Sequence, residues 1–328
     1  MAKGCPKYSR PDAGTNSYRI THNSTRSSMI PPRSSAAEVR ESSMAVTSLR
    51  LLAQSQVDQF MRDGFVVVEN LLTTDEIAVL ADRADLIASG KAEHVVTGIV
   101  QLEKPFQDDN NDIEDQVMST RKLAHIVPED EVLRTHSRNT KIVDVIADLF
   151  DSDDITLYGD QLFMKPPHHG SAKEWHQDSA SFKNIFPMNI ISAWVAIDDA
   201  TIENGCLWMV PGSHRWAIIP PSSRPTIEAQ FGHEYATVPV PLQSGSVSFH
   251  HSLTFHASGP NETDTRRRGY ATHYMPSTAI VDRTIESSVS QKLASAANEP
   301  WFTHVRGDRF PDTVSDEVGV TINTPIRQ

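Results

Sequence analysis

The chain has 328 residues, of which 38% are apolar and 22% charged. That is the profile of a soluble globular protein with room for one large catalytic domain or two ordinary ones. No window approaches eighteen consecutive apolar residues, which excludes a membrane-spanning helix, and a formal charge of −12 argues against nucleic acid as a partner. Two cysteines, Cys5 and Cys206, are too few for a thiolate zinc site and fit a reducing, intracellular setting, with the cytoplasm as the expected location.

Residues 1–46 are rich in Ser, Arg, Pro and Thr and poor in large apolar groups, and read as a disordered tail. An Arg- and Ser-rich, acid-poor leader is also the composition of a transit peptide, and Met44 offers a second start. One folded domain is expected over residues 47–328. It opens with a short helix, Gln54–Arg62, closed by Gly64, and a strand, Phe65–Val68. Thr73 and Glu76 form a capping box for a helix whose apolar positions are Ile77, Leu80, Ala81, Ala84 and Ile87, stopped by Gly90. Residues 103–118 are polar and read as a long exposed loop, and Thr140–Phe150 as an amphipathic helix.

After Asp154 short β-rich runs follow one another: Ile155–Met164, Ile190–Ile197, Leu207–Val210, Ser246–His250 and Gly269–Tyr274. Asn204-Gly205 signals a tight hairpin, and a late helix is expected over 283–296. Helices followed by many short strands predict a mainly β fold with flanking α-helices, a jelly roll able to hold a small site between two sheets.

The central motif is Trp175-His176-Gln177-Asp178. Residues two apart in a strand face the same side, so His176 and Asp178 present an imidazole and a carboxylate to one point. These are two members of a two-His-one-carboxylate facial triad, which suits iron(II) and leaves coordination positions open. A His-x-Asp triplet alone is weak evidence. The third imidazole is expected from His256, with His250 and His251 as alternatives just upstream. Eleven residues beyond His256, Arg267 offers a guanidinium that matches a carboxylate in a bidentate pair.

From Gly159 to Tyr274 the chain resembles the phytanoyl-CoA dioxygenase family of iron(II)- and 2-oxoglutarate-dependent oxygenases. The resemblance rests on Lys165-Pro166-Pro167, Trp175–Asp178, Ala193–Ala196, Asn204–Leu207, Pro211–His214, His256–Asn261, and Arg267 with His273-Tyr274. It implies a double-stranded β-helix (jelly roll, cupin-like) with Fe(II) held by His176, Asp178 and His256. By the same resemblance Arg267 binds the far carboxylate of 2-oxoglutarate with Ser258 beside it, Gln161 and Trp194 line the cosubstrate pocket, Lys122 reaches it, and Gln177 faces the substrate or braces the site. Dioxygen is the co-reactant, ascorbate a candidate stimulant, and the substrate a small organic molecule. Because halogenases related to this family lack the carboxylate, Asp178 points to hydroxylation.

Blander expectations stand beside these. Arg266 and Arg268 read as solvated surface charges, His273 as a hydrogen-bonded core histidine, and His168-His169 as loop. Trp194 also fits plain core packing. Two other functions compete: a jelly-roll module that binds metal and oxoacid without turnover, and a cupin-like metal enzyme that uses no oxoacid and so needs no Arg267.

Overall fold

The computed structural model describes residues 48–96, 98–107, 115–282 and 302–308. The expected tail over 1–46 and late helix over 283–296 lie outside the described residues. The helices are α1 (Gln54–Asp63), α2 (Thr74–Ala88), α3 (Gln116–Ser119), α4 (Glu131–Ser137), α5 (Thr140–Phe150) and α6 (Arg224–Glu228). The strands are β1 (Phe65–Val68), β2 (Ile99–Leu102), β3 (Thr120–Ala124), β4 (Ile155–Lys165), β5 (Lys173–His176), β6 (Ile185–Phe186) and β7 (Ile191–Ala196). They continue with β8 (Leu207–Met209), β9 (Val238–Val240), β10 (Val247–His251), β11 (His256–Ser258), β12 (Arg267–Pro276), β13 (Ile280–Val281) and β14 (Thr303–Arg306). Among the described residues no helix is long and apolar enough to cross a membrane.

Local chemistry sets the helix ends. Thr73 Oγ1 accepts from the Glu76 amide at 3.2 Å and the Glu76 carboxylate accepts from the Thr73 amide at 2.7 Å, so the predicted capping box starts α2. Gly64 closes α1 with φ +85°, and a Cβ there would lie 2.5 Å from His214 Nδ1, so glycine is required twice over.

A large antiparallel sheet runs β1-β10-β7-β12-β4-β3-β2, with β14 also beside β4, and a small one runs β5-β11-β8-β9. This is a double-stranded β-helix with helices on one flank. The large sheet is buried on both faces, which is why β7 is buried at every position. Ile191, Ala193 and Val195, with Tyr270 and Tyr274 of β12, join Ile77, Leu80, Ile142 and Ile146 of the helices in the main core. Each of the Ile, Leu and Val side chains, fully buried, contributes about 1.5–3 kcal/mol. The opposite face, with Trp194, Ala196 and Ala271, looks toward Leu207 and Met209 of the small sheet.

Three expectations are corrected. Asn204-Gly205 is a turn, with Gly205 at φ +87°, but it links β7 of the large sheet to β8 of the small one and is no two-residue hairpin. Arg268 is not a surface charge: its side chain is 8% exposed and grips Asp198 at 2.8 and 2.9 Å and Asp85 of α2 at 3.2 Å. Arg266 also pairs with Asp85, at 2.6 Å, so the two arginines tie β12 to α2. The expected loop 103–118 is exposed only in part, since Glu103 is buried and α3 occupies its end; residues 108–114 lie outside the described set.

His136 of α4 is buried against the Tyr270 ring at 5.2 Å, with Nε2 unpartnered. Burial pushes its pKa down to about 4, while the unfolded chain titrates near 6.5. The imidazole is therefore neutral when folded, and stability is lost as pH falls from about 6.5 to about 4, by up to ~1.4 kcal/mol per pH unit. His136→Phe should remove one proton from the pH slope of the unfolding free energy across that window in urea titrations; an unchanged slope would show that the ring is solvated.

Candidate metal centre

Strand β5 pairs antiparallel with β11 so that His176 lies directly opposite His256. Their ring centroids are 4.3 Å apart. The strand ends at His176. Gln177 keeps an extended backbone (φ −115°, ψ 134°), and Asp178 opens a 3-10 turn, Asp178–Ala180. The two-residue alternation thus survives across Gln177, although Asp178 is not itself in the strand as expected.

Asp178 Oδ1 lies 3.6 Å from His176 Nε2 and 3.8 Å from His256 Nε2. One ligand atom from each of the three residues falls within 4.8 Å of the others, and no other such cluster occurs among the described residues. His176 Nδ1 faces the carbonyls of Glu174 at 2.8 Å and His256 at 3.1 Å, and His256 Nδ1 faces the Thr254 carbonyl at 2.8 Å. Carbonyls only accept, so both Nδ1 atoms carry the proton and both Nε2 lone pairs point at the shared centre. Burial pushes the His256 pKa down to about 3, keeping it neutral. Burial alone would raise the Asp178 pKa, but His256, His176 and His250 outweigh it and hold the carboxyl well below the usual range. Two imidazoles and an ionised carboxylate on one side of a cavity make a donor set that fits a divalent metal.

The second oxygen of Asp178 is also held. Ser192 Oγ donates to Oδ2 at 3.2 Å and lies 2.7 Å from His273 Nδ1, which therefore donates to Ser192. His250 Nε2 sits 3.6 Å from Oδ2. Of the two alternative histidines, only His250 faces the centre. His251 Nδ1 instead accepts from the Leu253 amide at 3.0 Å. His168 pairs with Asp264 in an exposed turn.

A cavity of about 480 Å³ extends from this cluster between the sheets. Arg267 projects into it with 2% exposure. It donates to the Gly205 carbonyl at 3.0 Å, its Nε has no partner, and no acidic side chain lies within 4.0 Å among the described residues. Burial lowers its pKa to about 10, which leaves it charged at neutral pH. The guanidinium sits over the Trp194 ring, 5.3 Å from the centroid. Gln161, Lys122, Ser258 and Trp194 line the same cavity. Gln177 does not: buried, it donates to the Leu253 carbonyl and accepts from the Ile219 amide, both at 2.8 Å, and so braces the loops around the site. Ser192, Lys165 and His250 complete the surroundings; of these, only His250 was a candidate from the sequence, as an alternative third ligand, and it sits beside the carboxylate of Asp178 instead. Ser192 was visible only as a polar residue two before Trp194 in an apolar run.

Fold and cluster together define a jelly-roll protein with a candidate mononuclear metal centre. The chain belongs to the phytanoyl-CoA dioxygenase (PhyH) family of iron(II)/2-oxoglutarate-dependent oxygenases, whose family model matches residues 60–269. It is 27% identical over 270 residues to the Mus musculus phytanoyl-CoA dioxygenase domain-containing protein 1, covering 70% of this chain and 92% of that one. Among solved structures it is similar to the non-heme alpha ketoglutarate dependent carbocyclase SnoK from nogalamycin biosynthesis (TM-score 0.60, 20% identity, 77% of this chain and 96% of that one). It is also similar to the epimerase SnoN in complex with Fe3+, alpha ketoglutarate and nogalamycin RO (TM-score 0.58, 21% identity, 84% and 95%). At these identities the structural likeness establishes the fold.

Gly269 explains how Trp194 reaches Arg267. A Cβ at that position would lie 1.9 Å from the indole Cζ2, so only glycine lets the ring lie against β12. Gly269→Ala should displace Trp194, cost roughly 1–3 kcal/mol of stability and change tryptophan emission. Wild-type melting together with a wild-type spectrum would show that this contact is not tight.

Proposed function

We propose that the protein is an iron(II)- and 2-oxoglutarate-dependent dioxygenase that hydroxylates an unactivated C–H bond of a small organic molecule, releasing succinate and CO₂. The observation that supports it most is the presence, in one cavity, of the His176/Asp178/His256 cluster and a buried guanidinium, Arg267, without an acidic partner among the described residues. His176, Asp178 and His256 would hold the ion, and two imidazoles with one carboxylate suit iron(II). Bound there, iron(II) supplies dioxygen activation coupled to oxidative decarboxylation of the oxoacid, with ascorbate an expected stimulant.

The chain's residues do the positioning. The Thr254 and Glu174 carbonyls fix the imidazole tautomers, and Ser192 holds one carboxylate oxygen of Asp178 so that the other turns to the centre. Arg267 offers parallel N–H donors to the far carboxylate of 2-oxoglutarate, with the Ser258 hydroxyl beside it. Gln161, Trp194 and Lys122 wall the oxoacid pocket. The apolar sheet face around Trp194, Ala271 and Leu207 keeps water out. An oxoacid-free cupin-like enzyme would leave Arg267 buried with nothing to bind, and a binding-only module would have no use for an open metal face. SnoK is a carbocyclase and SnoN an epimerase on a similar fold; hydroxylation is assigned here over halogenation because Asp178 keeps the carboxylate in place.

His176→Ala, Asp178→Ala and His256→Ala should each abolish substrate-stimulated succinate release, measured across a panel of metabolites, and weaken iron binding. Arg267→Ala should raise the KM for 2-oxoglutarate by roughly 10–100-fold, the loss of a charged hydrogen bond, with little effect on the KM of the prime substrate. Full turnover in His176→Ala would rule the assignment out.

A further inference from the structure

We propose that Lys165 is a second cation of the oxoacid anchor, gripping the far carboxylate of 2-oxoglutarate together with Arg267. This rests on the proposed use of 2-oxoglutarate and adds a residue to it. The register of β12 on β4 sets Lys165 directly opposite Arg267, and both line the cavity. Their exposures are 5% and 2%. Like charges directly opposite in a sheet repel, and buried charges without partners are costly. Among the described residues neither cation has an acidic side chain within 4.0 Å; Glu103, the nearest acid in electrostatic effect, is held by Arg121 and Ser171. A pair of this kind is relieved by an anion bound between them.

The donor count agrees. Lys165 Nζ donates to the Gly259 carbonyl and to Ser258 Oγ, the latter at 3.0 Å. An ammonium has three protons, so one remains for a ligand. Because Ser258 Oγ accepts from Lys165, its own hydrogen is free to donate to the same carboxylate. Gly205 makes room for the ammonium: a Cβ there would lie 3.0 Å from Lys165 Nζ and 2.4 Å from the Gly259 carbonyl.

The arrangement couples binding to a proton. The charged or titratable groups facing Lys165 are Arg267 on β12, Arg121 on β3, Glu103 before the 3-10 turn, and Cys206 ahead of β8. Burial, then Arg267, push the Lys165 pKa down to about 7, with Glu103 opposing. A carboxylate arriving beside it favours the protonated form, so above pH 7 binding takes up a proton and affinity falls as pH rises.

The test is titration of the full-length, iron(II)-loaded protein with 2-oxoglutarate under anaerobic conditions, read by its visible charge-transfer band, with pyruvate as an oxoacid lacking the far carboxylate. Lys165→Met should weaken 2-oxoglutarate at least tenfold at pH 7 and leave pyruvate and iron affinities unchanged. In the wild type the Kd for 2-oxoglutarate should rise by about tenfold per pH unit above 7, the mark of one proton, while pyruvate stays flat. This second reading decides the matter even if Lys165→Met fails to fold. A flat wild-type pH profile, or wild-type affinity in a folded Lys165→Met, makes Lys165 a purely structural ammonium and leaves the proposed function intact. No binding of 2-oxoglutarate by the wild type at any pH overturns that function and this inference with it.

Discussion

The site depends on one short stretch of strand pairing. Strands β5 and β11 have four and three residues, yet their register decides whether His176 and His256 face each other. Directly opposed residues in an antiparallel pair hold their Cβ atoms about 4.5–5.5 Å apart, close enough for two imidazoles to share a centre. A slip of one residue would send an imidazole to the other side of the sheet. So few ladder bonds do not secure the register alone. Side chains and turns just outside the strands do: Ser179 donates its amide to the Ser252 carbonyl at 2.9 Å and its hydroxyl to Ser252 Oγ at 2.7 Å. Gln177, between the two candidate ligands, ties the segment to Leu253 and Ile219. The residue flanked by the chemistry is thus the one that clamps it.

The large sheet supplies the other half of the site through its alternation. Along β12, Arg267, Ala271 and His273 turn to the cavity while Tyr270 and Tyr274 turn to the helices. One strand therefore carries a buried guanidinium on one face and the aromatic core on the other. Its position is fixed from outside by Arg268, which reaches Asp198 and Asp85 on the helix side of the same strand. Two arginines adjacent in sequence have opposite electrostatic situations: Arg268 is neutralised by two carboxylates, Arg267 by none among the described residues. Desolvating an unpaired guanidinium is unfavourable, and a fold that does so while pairing the arginine next to it has placed the unpaired charge where a ligand can compensate it.

How much of this was legible follows from how far each signal travels. The elements with local signatures were visible: the Thr73–Glu76 cap, the Gly64 stop, and the apolar spacing of α2 and α5. His176, Asp178, His256 and Arg267 could be proposed because each sits in a recognisable short motif, and the structure brings the first three together. Lys165 and Ser192 could not, and His250 entered only as an alternative ligand, because what they do is set by cross-strand register between segments far apart in the chain. Lys165 meets Arg267 only through the β4–β12 pairing, and Ser192 meets His273 only through β7–β12. The same limit explains the errors. Asn204-Gly205 has hairpin chemistry, but a turn type says nothing about whether the next strand joins the same sheet. Arg268 looked solvated because strand alternation sends it away from the cavity, and the partners waiting there are Asp198, just past the end of β7, and Asp85, on a helix 183 residues earlier.

Net charge illustrates the difference between a chain and a site. At −12 the protein as a whole repels anions, and composition alone would assign it no anionic ligand. The cavity has the opposite sign: Lys104, Arg121, Lys122, Lys165, Lys173 and Arg267 line it against Glu103 and Asp178. Exposed acids elsewhere act across water and are screened within about 10 Å at ordinary ionic strength, whereas low-dielectric walls preserve the field of the two buried cations, Lys165 and Arg267. A dianionic oxoacid entering this cavity meets local attraction that the global charge does not cancel. The excess of positive charge also means that an oxoacid and Asp178 can sit near each other without mutual repulsion dominating. On the proposed reading, separation of the two acidic groups by a fixed cation would allow one pocket to hold a metal-binding carboxylate and a dicarboxylate at once.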